Sequence, residues 1–230
     1  ERSTRGVIRA IAELRRGTPV VIKNGAAGIV VLATEFAEDG LRPLTDHGLN
    51  ADLLAITGLR AAVLNIPPAG EGTVVIELSS HIDAATIRSL ADPTSDLDHP
   101  IRGPFRLAQR DPGAATAALT LCKRARLLPA VVFAVVPEGE DPAAWAAGND
   151  LLVADAYAIE QFEIETARTL TPISGAQVPL AGAESTRIVA FRPADAGVEH
   201  VAVIVGTPHA DLPVLVRLHS ECFTGDLLDS

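Results

Sequence analysis

The run PAVVFAVV, Pro129 to Val136, most limits what this chain can fold into. Uncharged and lacking polar alternation, it suits a strand buried on both faces, and the alanine-rich stretch Ala114 to Leu127 ahead of it has the character of a helix. A helix feeding a buried strand is the order expected of a mixed sheet layered with helices. This run and Val201 to Val205 are also far shorter than the ~18 to 20 residues that span a bilayer, so a soluble chain is expected. Its 230 residues fit one large domain or two modest ones and are enough to bury a real core.

The formal charge of −10 disfavours a nucleic-acid backbone or an anionic membrane as partner, because no basic run in the sequence offsets it. Two cysteines, Cys122 and Cys222, without an apolar leader suggest a reducing cytoplasm and no disulfide framework. Met is absent, so Glu1 is not expected to be the native first residue. Either the composition is an accident or non-standard residues such as selenomethionine are missing, in which case spacings run short by a residue in places.

Val7, Ile8, Ile11 and Leu14 form one helical stripe closed by Gly17. Pro19–Ile22 and Ile29–Ala33 read as strands around the turn Lys23-Asn24-Gly25. A helical stretch is expected from Asn50 towards Leu64, then a turn at Pro67–Gly72 and a strand at Thr73–Leu78. Asp83 is the expected N-cap of a helix over Ala84–Ala91, and the Pro-rich segment Asp92–Pro104 is expected to be loop. Another helix should begin at Asp141–Trp145, with a short strand at Leu151–Val153. Thr169–Ala183, rich in Thr, Pro, Ser and Gly, is the best linker candidate. Strands then follow at Arg187–Phe191, His200–Gly206 and Val214–Leu218. A boundary near residue 172 divides the chain into 1–172 and 173–230.

The closing strand runs into Arg217, Leu218, His219, Ser220, Glu221 and Cys222, where strand ends commonly present functional groups. A thiol beside His and Glu suits a nucleophile or a metal ligand, and ordinary polar residues at a strand end are the plain alternative. The full string, Arg217, His219, Ser220, Glu221, Cys222, Thr224, Gly225 and Asp226, resembles the R-x-H-S-E-C-x-T-G-D signature of GTP cyclohydrolase II. Upstream, TRIVAFRPADAGVEHVAVIVG resembles that family's paired strands, with Glu199-His200-Val201 at its G-x-E-H-V/L turn. The resemblance covers about Ala176 to Ser230. It implies that Cys222 is the first of three zinc ligands, that Arg217, Leu218, His219, Ser220 and Glu221 line the GTP pocket, and that magnesium accompanies the polyphosphate. It also implies hydrolysis of GTP to formate, pyrophosphate and a diaminopyrimidine ribonucleotide phosphate. The two remaining cysteines are expected ~11 and ~13 residues beyond Cys222, and a zinc site needs at least three protein ligands. Residues 1–230 therefore hold one ligand of three and are expected to bind no catalytic metal and to turn over no GTP alone.

The front of the chain resembles 3,4-dihydroxy-2-butanone 4-phosphate synthase over about residues 7 to 160. AIAELRRGTPVVI, IVVLATEFA, IDAATIRSLADPTSDLDHPIRGPFRLAQR and ATAALTLCKRARLLPAVVFAVV carry the likeness. At that family's acidic loop this chain reads KNGAAGI, with Ala27 and Ile29 where carboxylates stand. At its G-H-T-E motif it reads GAAT, with Ala114 at the His position and Thr116 at the Glu. Proton abstraction needs a base and metal binding needs carboxylates, so the resemblance implies an inactive relative kept for fold, dimerisation or support.

His47, His81 and His99 have no second ligand at i+2 or i+4 and are expected to be solvated or capping groups. Asp92, Asp96 and Asp98 lack calcium-loop spacing and are expected in a solvated loop. Cys122 is expected to be a small buried hydrophobe and Trp145 a core anchor. The fold class expected is α/β (α+β), a layered mixed-sheet domain followed by the β-rich start of a GTP cyclohydrolase II domain. The function expected is that of a cytoplasmic, homodimeric cyclohydrolase. A non-catalytic scaffolding or regulatory protein of the riboflavin pathway is the alternative; a downstream C-D-C pair supports the enzyme and its absence the scaffold.

Overall fold

The computed structural model describes residues 2–39, 41–67, 70–79, 82–98, 103–108, 113–194, 197–209 and 211–220. Two compact units divide the chain, Glu1–Glu165 and Thr166–Ser230.

The first unit runs α1 (Arg2–Arg15), β1 (Val20–Asn24), β2 (Ala27–Ala33), a 3-10 segment Thr34–Asp39 and α2 (Arg42–Thr45). It continues with β3 (Leu53–Thr57), α3 (Gly58–Val63), β4 (Thr73–Glu77), α4 (Ala84–Ala91), a 3-10 turn Pro93–Ser95 and β5 (Arg106–Leu107). Next come α5 (Gly113–Ala125), β6 (Ala130–Val135), α6 (Pro142–Gly148), β7 (Leu152–Asp155) and α7 (Ala156–Arg168). The seven strands form one mixed sheet in the order β5-β4-β3-β6-β2-β1-β7. β1 and β7 pair in parallel, and the other neighbours pair antiparallel.

Successive strand side chains point to opposite faces, and here both faces are covered. Val20, Ile22, Val131 and Phe133 join Val7 and Leu14 of α1, Leu121 of α5 and Phe162 of α7 in one core. Their neighbours Val21 and Val132 join Leu44 of α2, Ala61 of α3, Leu90 of α4 and Ala146 of α6 in the other. Double burial explains why PAVVFAVV shows no alternation, since a polar residue on either face would enter a core.

The same effect hides β3. The sequence pattern predicts a helix through Leu53–Thr57, yet this stretch is a strand between β4 and β6 with four of its five residues buried. A short, wholly apolar run has no period to tell strand from helix. Helix starts follow local chemistry: the Asp83 carboxylate accepts from Thr86 N at 2.8 Å, and the Asp141 carboxylate from Ala143 N and Ala144 N at 3.0 Å. Trp145 is partly buried against the second core, where its ring meets that of His47 edge-on with centroids 6.5 Å apart.

Asp98 is exposed, as a solvated loop requires, but Asp96 is not a free surface acid. Both Asp96 carboxylate oxygens accept from the Arg60 guanidinium at 2.6 Å, and the Arg60 side chain is only 10% exposed. Its remaining N–H groups donate to the carbonyls of Leu90, Ser89 and Asp92 at 2.7, 3.2 and 3.3 Å. Asp92 turns its carboxylate to Thr94 N and Oγ1, and these bonds hold its carboxyl below the usual range. One guanidinium thereby ties α3 to the end of α4 and the turn after it. His81 and His99 lie outside the described residues.

The second unit contains β8 (Thr171–Gln177), β9 (Thr186–Arg192) and β10 (His200–Val205), an antiparallel sheet in the order β10-β9-β8. The expected linker at Thr169–Ala183 thus contains a strand, irregular between Pro172 and Ser174 and pairing through Gln177 with Arg187. Its Thr, Pro, Ser and Gly fit an edge strand, where loop-like composition is tolerated. Among the described residues no helix is long and apolar enough to cross a membrane.

Two stability tests follow from this packing. Gly58 N donates to Gly72 O at 2.8 Å and Gly70 N to Gly58 O at 3.2 Å, so a Cβ at position 58 would sit 2.8 Å from Glu71 O and closer still to Gly70 O. Gly58→Ala should cost about 1–3 kcal/mol in urea unfolding. Gly6→Ala, at a helical position with open space around its Cβ, should stabilise by about 0.5–1 kcal/mol. Arg60→Lys cannot reproduce a five-donor fork and should cost about 2–4 kcal/mol. The same change at Arg16, which pairs on the surface with Glu13 at 3.2 Å, should move stability by less than about 0.5 kcal/mol.

Candidate functional site

The small sheet of the second unit precedes the closing motif in the chain. β9 and β10 pair in full register from Thr186↔Val205 to Phe191↔His200. Thr186 is buried, its hydroxyl donating to Ala183 O at 2.5 Å, and Gly206 N donates to Ser185 O at 2.8 Å. At the hairpin's other end the Arg192 guanidinium donates to Glu199 Oε1, with Nε at 2.7 Å. The G-x-E-H-V element therefore leads into β10 at His200, with Glu199 paired to Arg192 of β9.

Val214–Leu218 is not the strand expected. After a turn at Asp211 and Leu212 the chain runs without regular structure through residues 213–220, with every side chain exposed. β-branched composition favours a strand only where an edge is there to pair with, and among the described residues none pairs with this stretch. Arg217, Leu218, His219 and Ser220 follow one another along this exposed segment, Leu218 at 98% exposure. Glu221 and Cys222, with Thr224, Gly225 and Asp226, lie outside the described residues. Four of the six expected site residues are thus seen, adjacent in sequence and extended along the chain without converging on a common centre.

A zinc site does not emerge from the described residues. No group of three or more His, Cys, Asp or Glu side chains is placed to hold a metal ion among them. Cys122 is fully buried in α5, where burial first and the Glu35 charge second push its thiol far above the ordinary range. A thiol held neutral in this way is neither a nucleophile nor a ready ligand. Cys122 is the small hydrophobe its helix suggested.

In the first unit, the two places that correspond to the synthase motifs hold polar groups that satisfy one another. At the β1–β2 hairpin Lys23 Nζ donates to Asp141 Oδ2 at 2.9 Å. That bond and those from Ala144 and Ala143 hold the Asp141 carboxyl below its usual range. Gly28 lies under α6, where a Cβ would meet the Pro142 ring at 2.7 Å. At the start of α5 the hydroxyls of Thr116 and Thr73 share a hydrogen bond of 2.8 Å, and Ala114 is buried. The residue that sequence reasoning missed is Arg60. Its role depends on Asp96, and no local pattern joins the two.

Residues 172–230 match the family model described as GTP cyclohydrolase II. Over 232 residues the chain is 44% identical to a GTP cyclohydrolase-2 of Azospirillum brasilense, covering 99% of this chain and 60% of the relative. A GTP cyclohydrolase-2 of Xylella fastidiosa is 26% identical over 230 residues, with 96% and 53% covered. A riboflavin biosynthesis protein RibBA of Phocaeicola vulgatus is 26% identical over 258 residues, with 96% and 64% covered. The chain therefore spans between 53% and 64% of the length of these relatives. Among solved structures, a two-domain 3,4-dihydroxy-2-butanone 4-phosphate synthase from A. baumannii aligns with a TM-score of 0.54 at 20% identity, covering 97% of this chain and 76% of that one. At that identity the likeness is one of fold. On these matches the chain is similar to GTP cyclohydrolase-2 proteins along most of its own length, and its closing segment, residues 172–230, fits the GTP cyclohydrolase II family model.

Proposed function

We propose that the protein to which this chain belongs is a GTP cyclohydrolase II of riboflavin biosynthesis, hydrolysing GTP to a diaminopyrimidine ribonucleotide phosphate, formate and pyrophosphate. The observation that carries this reading is the intact string Arg217, His219, Ser220, Glu221, Cys222, Thr224, Gly225 and Asp226 within the segment that matches the family model. Residues 173–230 are assigned to the leading part of the cyclohydrolase domain. Residues 1–172 are assigned to a synthase-like domain without synthase chemistry.

In this reading Arg217 binds the GTP polyphosphate, its forked guanidinium matching phosphate oxygens while magnesium shares their charge. Leu218, His219, Ser220 and Glu221 line the nucleotide pocket. Cys222 is assigned to zinc, which when bound would supply a water activated at neutral pH. The described residues do not assemble the ligand set such an ion needs. The loss of imidazole and carboxylate at Ala114 and Thr116, together with the Lys23–Asp141 pair, supports an inactive front domain. A cytoplasmic homodimer completes the proposal.

The test uses the full-length protein. It should release formate from GTP and contain zinc, whereas residues 1–230 alone should do neither. Arg217→Ala should raise KM for GTP about tenfold or more, as loss of a charge-assisted phosphate contact implies. Cys222→Ser should abolish turnover with loss of metal, and ribulose 5-phosphate should not be consumed by any of these proteins. A full-length protein that leaves GTP intact would point instead to a scaffolding role, and activity surviving in Cys222→Ser would refute the assignment of the thiol.

A further inference from the structure

Folding gathers a basic surface that the sequence disperses. α1 and α5 pack on the same face of the large sheet. Residues 5–16 and 113–126, which run one residue past the ends of these helices, carry seven cations and one carboxylate, Glu13. That is +6 in a chain of formal net charge −10, leaving −16 for the remainder. Arg5, Arg9 and Arg16 lie on one stripe of α1, opposite the buried Val7, Ala10 and Leu14. At the end of that helix Arg15 Nε donates to Ala125 O at 2.8 Å, which sets it beside the last turn of α5. The next residue, Arg126, is exposed with φ 57, while Leu127 N closes the helix on Cys122 O at 3.0 Å.

This is a position where glycine is the favoured residue, and an arginine there carries backbone strain and sits next to another arginine. Cations in a last helical turn also answer the helix dipole, which accounts for Arg15 and Lys123. It does not account for Arg5 and Arg9, which lie away from the end of α1, nor for a cation at the left-handed position. Neighbouring carboxylates take up only part of the charge: Glu13 pairs with Arg16 and Glu163 with Arg124. Arg5, Arg9, Lys123 and Arg126 are exposed and have no ion pair or hydrogen-bond partner for their side chains among the described residues.

We infer that the outer face of α1 and the end of α5 form a docking surface for an acidic protein segment. Charge complementarity selects the occupant. Neither helix contains an aromatic residue on which bases could stack, and the acidic remainder of the chain repels a long polyanion. A short run of Asp and Glu can engage the face within a Debye length of ~8 Å.

Fluorescence anisotropy of a labelled decaglutamate peptide with the full chain tests this. Binding should be measurable at about 0.05 M NaCl and lost by about 0.5 M. The variant carrying Arg5→Glu, Arg9→Glu and Lys123→Glu, folded by circular dichroism, should bind at least about tenfold more weakly. Arg126→Gly should raise the melting temperature and weaken the peptide together, a split that a purely structural arginine would not produce. The inference falls if the peptide fails to bind at low salt, if the charge-reversed variant binds equally well, or if single-stranded DNA of equal charge binds more tightly.

Discussion

Coverage of the large sheet on both faces is the constraint from which most of this molecule follows. Val20 and Ile22 enter one core and Val21 the other, and the same split recurs at Val131, Val132 and Phe133. A strand under that demand has no position left for a charged or catalytic side chain. Any chemistry must then sit on hairpin tips, helix starts and the turns between layers. Such places can change residue by residue without disturbing either core, which is why the sheet can outlast the loss of an activity.

In the first unit those places hold polar groups that bond to one another. A reactive site keeps polar groups unsatisfied and aimed at a ligand. Here Lys23 is spent on Asp141, which also caps α6, and Thr116 is spent on Thr73. Arg60 uses its N–H groups within the protein, on Asp96 and three backbone carbonyls. Each arrangement fixes a loop to a helix end and exposes no group poised for proton transfer. That is the physical content of the proposal that the front domain serves as structure.

What could be read from the sequence depended on the range of the interaction. Asp83 and Asp141 act on backbone N–H groups two or three residues away, and the Asp83 cap and the helix start at Asp141 were legible. The helices with one apolar stripe and the buried run at β6 were legible for the same reason. β3 was not, because Leu53–Thr57 is apolar throughout and only its partners β4 and β6 make it a strand. β8 reads as a linker because an edge strand without buried side chains needs no apolar pattern. Val214–Leu218 failed in the opposite direction: its composition suits a strand, but no described strand pairs with it. Arg60 and Asp96 lie thirty-six residues apart, and neither signals the other.

The closing motif separates two kinds of legibility. Residue identity at Arg217, His219, Ser220, Glu221 and Cys222 was enough to suggest a family, because phosphate and metal chemistry admit few side chains. Geometry is a different matter, since a site needs those groups held around one centre by packing from several directions. β10 presents Val201, Val203 and Val205 at 62%, 56% and 61% exposure, and the small sheet encloses little beyond Thr186 and Val189. A three-stranded sheet so thinly covered can orient a hairpin, as the Arg192–Glu199 pair does, but among the described residues no second layer covers β10. The chemistry proposed for the string therefore depends on surfaces that these strands do not themselves provide.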